Sequence, residues 1–184
     1  MTNERNITMI QMSADLSTVR IGFSSQVSKD VEGEEEAENL VGNQYTITSH
    51  HRPNGDFVDA MKKLRKFCLE VSEIEVDAKK LPKWFVTQLK ISGDIVMRKS
   101  RVQFVLSKQI EKTGKQLKVG PTPQVTMYPE KDDSQRYHNA EAMSKQIEVC
   151  IDEAIAYLNG KYEDEDNNQL PLFPWENLQT TFDK

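Results

Sequence analysis

The side chains able to do chemistry are few, and their spacing does not suit catalysis in this chain of 184 residues. His50 and His51 are neighbours, and His138 stands far from them in sequence. A histidine pair with no cysteine or carboxylate at ligand spacing lacks the converging donors that a zinc site needs. Cys68 and Cys150 form no CxxC pattern; both fall on apolar faces of helical segments and read as buried thiols rather than nucleophiles. Asp15 and Asp94 recur at matching places between successive strands, where a short carboxylate commonly closes a turn. Gly93 and Gly114 are isolated rather than part of a phosphate-cradling loop, and neither GxSxG nor HExxH occurs. The expectation is a protein that is not an enzyme and uses no metal or cofactor.

Cations are what the chain offers instead. From Lys79 to Tyr128, eleven Lys and Arg are set against only Asp94 and Glu111, a balance of +9 in a chain whose net charge is −5. Lys90, Arg98, Lys99, Arg101 and Lys108 fall on or between strand-like stretches, and Lys112, Lys115 and Lys118 follow in or just after a loop. Such a series can neutralise successive phosphates of a nucleic acid, with the steep salt dependence that counterion release brings. Trp84, Phe85 and Phe104 are interleaved with them, as in sheet-based single-strand binders that stack bases on aromatics. Phe104 nevertheless belongs to an alternating apolar set and reads as core. These eight cations are the candidate DNA-binding residues, with single-stranded DNA favoured. The acids are segregated elsewhere: six lie between 30 and 38, and Glu163, Asp164, Glu165, Asp166, Glu176 and Asp183 mark the C-terminal tail. Local fields of this kind steer a charged partner more than net charge does.

Positioning the cations requires strands. Ile7 to Met12 alternates weakly, and Val19, Ile21 and Phe23 continue the pattern within 18–27; period two marks a half-buried strand. Gln44 to Thr48 is β-branched and aromatic, a third strand. Asp56 is the expected N-cap of a helix whose apolar face is Phe57, Ala60, Met61, Leu64, Phe67, Cys68 and Val71. The second half repeats the order. Trp84 to Ile91 and Ser100 to Leu106 read as strands, 112–115 as a hairpin connection and Gln124 to Tyr128 as the third strand. A helix then runs to Leu158 with Gly160 as its stop, its apolar face being Ala142, Met143, Ile147, Cys150, Ile151, Ala154, Ile155 and Leu158.

The halves also match residue by residue. Ile10, Met12, Ser13 and Asp15 precede Leu89, Ile91, Ser92 and Asp94 by 79; Arg20, Ile21 and Phe23 precede Arg101, Val102 and Phe104 by 81; Ala60, Met61 and Cys68 precede Ala142, Met143 and Cys150 by 82. The predicted fold is α+β: a duplicated βββα unit whose six strands join edge to edge, both helices on one face and the other face free. The units span 1–78 and 79–160, together one compact domain, and 161–184 forms a flexible acidic tail. No apolar run approaches the roughly 18 residues of a membrane helix. The N-terminus has no secretory or transit pattern, so a cytoplasmic location without membrane contact is expected.

In that tail the segment Gln169-Leu170-Pro171-Leu172-Phe173 is apolar and follows Glu163-Asp164-Glu165-Asp166-Asn167-Asn168. It resembles the Gln-Leu-x-Leu-Phe pentapeptide with which bacterial replication and repair proteins bind the β sliding clamp. The resemblance covers five residues and implies a partner: Gln169, Leu170, Leu172 and Phe173 fill its four defined positions, with Pro171 at the variable one. Leu172 and Phe173 would bury apolar area, Gln169 would donate and accept, and Pro171 limits the entropy lost on docking. The expected function is that of a non-enzymatic DNA replication or recombination accessory protein of a phage or prophage, binding DNA through its second repeat and the clamp through its tail. The alternatives are a phage inhibitor of the host clamp without DNA binding, and a single-stranded DNA-binding or annealing protein that self-assembles through open sheet edges.

Overall fold

A computed structural model describes residues 5–25, 44–93, 100–129 and 136–163. The fold is α+β. Seven antiparallel strands form one sheet: β1 (Arg5–Met12), β2 (Val19–Ser25), β3 (Gln44–Ser49), β4 (Trp84–Ser92), β5 (Arg101–Gln109), β6 (Gln116–Val119) and β7 (Val125–Thr126). Their order is β3-β2-β1-β4-β5-β6, with β7 also pairing β5. The halves of the chain therefore meet at β1 and β4, where Ile10 lies opposite Leu89. The ladder shifts between Ile7 and Met9 in β1 and again between Val86 and Gln88 in β4. Each shift is a bulge of the kind that bends and twists a strand.

Alternation places Ile7, Ile10, Met12, Val19, Ile21, Phe23, Leu89, Ile91, Val102, Phe104 and Leu106 in a single buried cluster. The helices α1 (Gly55–Lys63), α2 (Arg65–Val71) and α3 (Ala140–Leu158) cover that face. Fully burying each such aliphatic or aromatic side chain contributes about 1.5–3 kcal/mol. α1 starts directly after β3, and α2 ends near Tyr137 and Asn139, both of which donate to Glu70. α3 runs back: the Ser144 hydroxyl donates to the Met127 carbonyl beside β7, and Tyr157 meets Ser49 and His51 at the end of β3. The helices thus cross the sheet side by side, joined by Gln146 Nε2 donating to the Ala60 carbonyl at 3.0 Å. Cys68 and Cys150 are both buried free thiols; burial pushes the Cys150 thiol up to about 12 and the Cys68 thiol well up too.

Several sequence expectations shift. The N-cap of α1 is Asn54, whose side-chain Oδ1 accepts from Phe57 N–H at 2.9 Å, and Asp56 lies inside the first turn. The first helix breaks at Leu64 into α1 and α2. In α3 Ala142 is exposed and Ile155 is 38% exposed, while Tyr157 is fully buried. The third strand of the second half is two pieces rather than one. β6 pairs Leu106–Gln109 and β7 pairs only Arg101 and Val102. Between them the cis Gly120–Pro121 bond turns the chain, and Thr122 takes over the pairing of Phe104: its N–H donates to the Phe104 carbonyl at 2.8 Å and its Oγ1 accepts from Phe104 N–H at 3.1 Å. Among the described residues no helix is long and apolar enough to cross a membrane.

Candidate nucleic-acid interface

The sheet has a second face that none of the described helices covers, and strand parity decides what it carries. Directly paired residues share a face. Thr48, Arg20, Gln11, Gln88 and Val105 form one row across β3-β2-β1-β4-β5, and Thr46, Gly22, Met9, Lys90 and Gln103 form the next. Arg101 follows opposite Ser92, and Lys118 lies opposite Ser107. Arg20, Lys90, Arg101 and Lys118 are all exposed. No described strand contains an Asp or Glu, although the chain holds 29 acids. The acids of the described residues sit in helices, turns and loops. On the described strands the uncovered face therefore carries amides, hydroxyls, the apolar Met9 and Val105, and, as its charged groups, cations alone.

The eight predicted DNA-binding residues do not all meet there. Lys90, Arg101 and Lys118 do. Lys108 pairs with Trp84 and so shares the helix-covered face; its Nζ lies 5.2 Å from the Trp84 ring centroid, over an indole that is buried. That is a cation–π contact at the rim of the core. Lys112 and Lys115 lie exposed in the β5–β6 turn. Arg98 and Lys99 lie outside the described residues, as does Asp94. Of the interleaved aromatics, Trp84 and Phe104 are buried, and only Phe85, opposite Ser107, is on the uncovered side and partly exposed. Arg20 was missed as a site residue. Its signal was present, since it alternates with Val19 and Ile21, but it lies outside the basic stretch of the sequence. Arg136 was missed as well: with Arg101, Tyr137, Gln124 and Glu73 it borders a groove of about 470 Å³ at the β7 edge.

The histidines stand apart. His50 Nδ1 is 3.4 Å from the Thr18 hydroxyl, and the His51 ring stacks on Tyr162 at 4.3 Å. His138 lies at the start of α3, the opposite end of a 19-residue helix about 28 Å long. Among the described residues no group of three or more His, Cys, Asp or Glu is placed to hold a metal ion. Asp15 is a turn residue: the hydroxyls of Ser13 and Ser17 and the Ser17 N–H hold its carboxyl down to about 2. The tail residues Gln169, Leu170, Leu172 and Phe173 lie outside the described residues. The chain leading to them is pinned beside β3, where Glu163 N–H donates to the Arg52 carbonyl at 3.0 Å and Glu163 pairs with the Arg52 guanidinium at 2.7 Å.

Fold and site together define an antiparallel sheet with helices on one side and, on the other, a face whose described strands carry cations and no acid. No model of a protein family, no curated protein and no solved structure matches the chain.

Proposed function

We propose that the chain is a non-enzymatic DNA replication or recombination accessory protein, which binds single-stranded DNA on the uncovered sheet face and the bacterial sliding clamp through its C-terminal tail. The observation that carries the first part is that face: Arg20, Lys90, Arg101 and Lys118 exposed, with no acid in any described strand. Phosphates can pair with these cations, and neutral Gln, Thr and Ser side chains can hydrogen-bond sugars and base edges. The tail motif supports the second part, and tethering to a clamp raises the local concentration of a weak DNA binder without new contacts.

We read the body as a duplicated βββα unit. Ile10 and Leu89 differ by 79, and they face each other at the meeting of the halves, flanked by the matching pairs Met9–Lys90 and Gln11–Gln88. Thr8 and Thr87, again 79 apart, lie at the two ladder shifts. On this reading Ile21, opposite Ile10, corresponds to Phe104, opposite Leu89, a spacing of 83 rather than the 81 of the sequence match.

The test separates the two partners. The full chain and a version ending at residue 162 are titrated against purified clamp and against a labelled oligonucleotide. Clamp binding is expected to vanish with the tail and with the pair Leu172→Ala, Phe173→Ala; unchanged clamp affinity would end the tail reading. DNA affinity is expected to fall steeply between about 50 and 200 mM salt, and indifference to salt would end the reading of the face.

A further inference from the structure

The two edges of the sheet are built differently. At one edge β6 carries Lys118, stops at Val119 and gives way to Gly120–Pro121 and Pro123 before the two-residue β7. Prolines lack the N–H that a further strand would need, and a charge, a break and short strands are how an edge is kept from pairing. At the other edge β3 pairs with β2 along all six residues Gln44–Ser49. It contains no proline, glycine or charge, and among the described residues no strand pairs with its outer side. Tyr45, stacked on Phe23 at 5.5 Å, is 41% exposed, and Ile47 beside it is only partly buried.

We propose that β3 is a dimerisation strand, pairing antiparallel with β3 of a second copy of this chain in the register centred on Thr46. The occupant follows from self-complementarity. A two-fold antiparallel pairing must join residues of one face, which fixes an even register. Centring it on Thr46 sets Thr46 against Thr46 of the second copy, Gln44 against Thr48, and Tyr45 against Ile47 twice. Aromatic against β-branched and threonine against threonine are favourable cross-strand pairs, and no charge opposes a like charge. The isologous contact closes on itself and leaves no β3 edge free for growth. It also makes the two uncovered faces one surface, with Arg20 of each copy one strand from the seam.

Sedimentation velocity on the full chain, without nucleic acid, reads this directly and independently of the DNA and clamp readings. The intact chain is expected at twice its 21.2 kDa mass. Thr46→Lys and Thr46→Glu, each placing like charges face to face at the centre, are each expected at the single-chain mass. Their equimolar mixture is expected to return to the double mass, because opposite charges then meet. Leu117→Lys, on the other edge, is expected to leave the dimer intact. Hydrogen exchange on the unsubstituted chain gives a reading that no misfolded variant can confuse: amides in 44–49 are expected to slow over the concentration range in which the mass doubles. A single-chain mass for the intact protein, a mixture that fails to re-form the dimer, dissociation by Leu117→Lys, or exchange at 44–49 unchanged across that range would each overturn the proposal.

Discussion

Tyr157 is wholly buried, yet its hydroxyl is satisfied twice, donating to the His51 carbonyl at 2.6 Å and sharing a hydrogen bond with the Ser49 hydroxyl at 2.7 Å. These contacts lock the end of α3 onto the end of β3, with the Phe57 ring tilted against it at 5.7 Å. Tyr157→Phe keeps the ring packing and leaves the partly buried His51 carbonyl short of a donor, so a loss of about 1–3 kcal/mol is expected, read as a lower urea midpoint at unchanged slope. Glu70 gives a pH dependence. The Tyr137 hydroxyl, and secondarily the Asn139 amide, hold its carboxyl below the ordinary 4.5 against the opposing effect of burial. A depressed acid stabilises the fold fully above its unfolded value, and that contribution is lost as pH falls through the folded one. Glu70→Gln is therefore expected to flatten the decline in stability below pH 4.5, and to cost under about 1 kcal/mol at neutral pH because the carboxylate is largely solvated. Denaturation followed from pH 7 to pH 3 checks both. The sequence pattern for α3 favoured Ile155 and passed over Tyr157, because an apolar count treats a hydroxyl-bearing ring as surface. Only the facing Ser49 and His51 make burial of that hydroxyl affordable.

Strands and helices were largely legible because their apolar periods differ, 2 against 3.6. β1, β2, β4 and α3 lie close to where alternation and spacing put them. What escaped were features decided across strands. β6 is a four-residue strand with an exposed Leu117, and only pairing with β5 defines it. On the proposed duplication, the sequence match between β2 and β5 lies two residues from the structural one, a slip that keeps every side chain on its face. The break between β6 and β7 depends on Gly120, whose φ is +113° and where an added Cβ would lie 3.1 Å from Thr122 N and 3.3 Å from the Phe104 carbonyl oxygen. Gly120→Ala is expected to destabilise by about 1–3 kcal/mol and to speed amide exchange at Phe104 and Thr122. Gly55, the first residue of α1, has nothing within 4 Å of an added Cβ. Gly55→Ala is expected to be neutral or to stabilise by up to about 1 kcal/mol through the unfolded chain. Parallel urea titrations of the two variants are the check, and equal effects would remove Gly120 from the account of the broken edge.

For the molecule as a whole, the linear sequence revealed that charge was segregated but not on which side of the sheet each cation stands. Lys90 and Lys108 look alike along the chain, both within the basic stretch and both on strands. Pairing separates them: Lys90 lies opposite Gln103 on the uncovered face, and Lys108 lies opposite Trp84 on the helix side. If the uncovered face takes single-stranded DNA, only cations on it release counterions when DNA binds. Lys90→Ala and Arg101→Ala are each expected to weaken binding across all sequences and to reduce the slope of log affinity against log salt by about 0.7. Arg20→Ala is expected to do the same from the half of the chain that the sequence left out of the interface. Lys108→Ala is expected to leave that slope unchanged, while lowering stability slightly by uncovering the Trp84 ring. Fluorescence anisotropy with a mixed-sequence oligonucleotide at four salt concentrations measures all four slopes. A lowered slope for Lys108→Ala with an intact slope for Lys90→Ala would place the nucleic acid on the helix side and remove the uncovered face from the function.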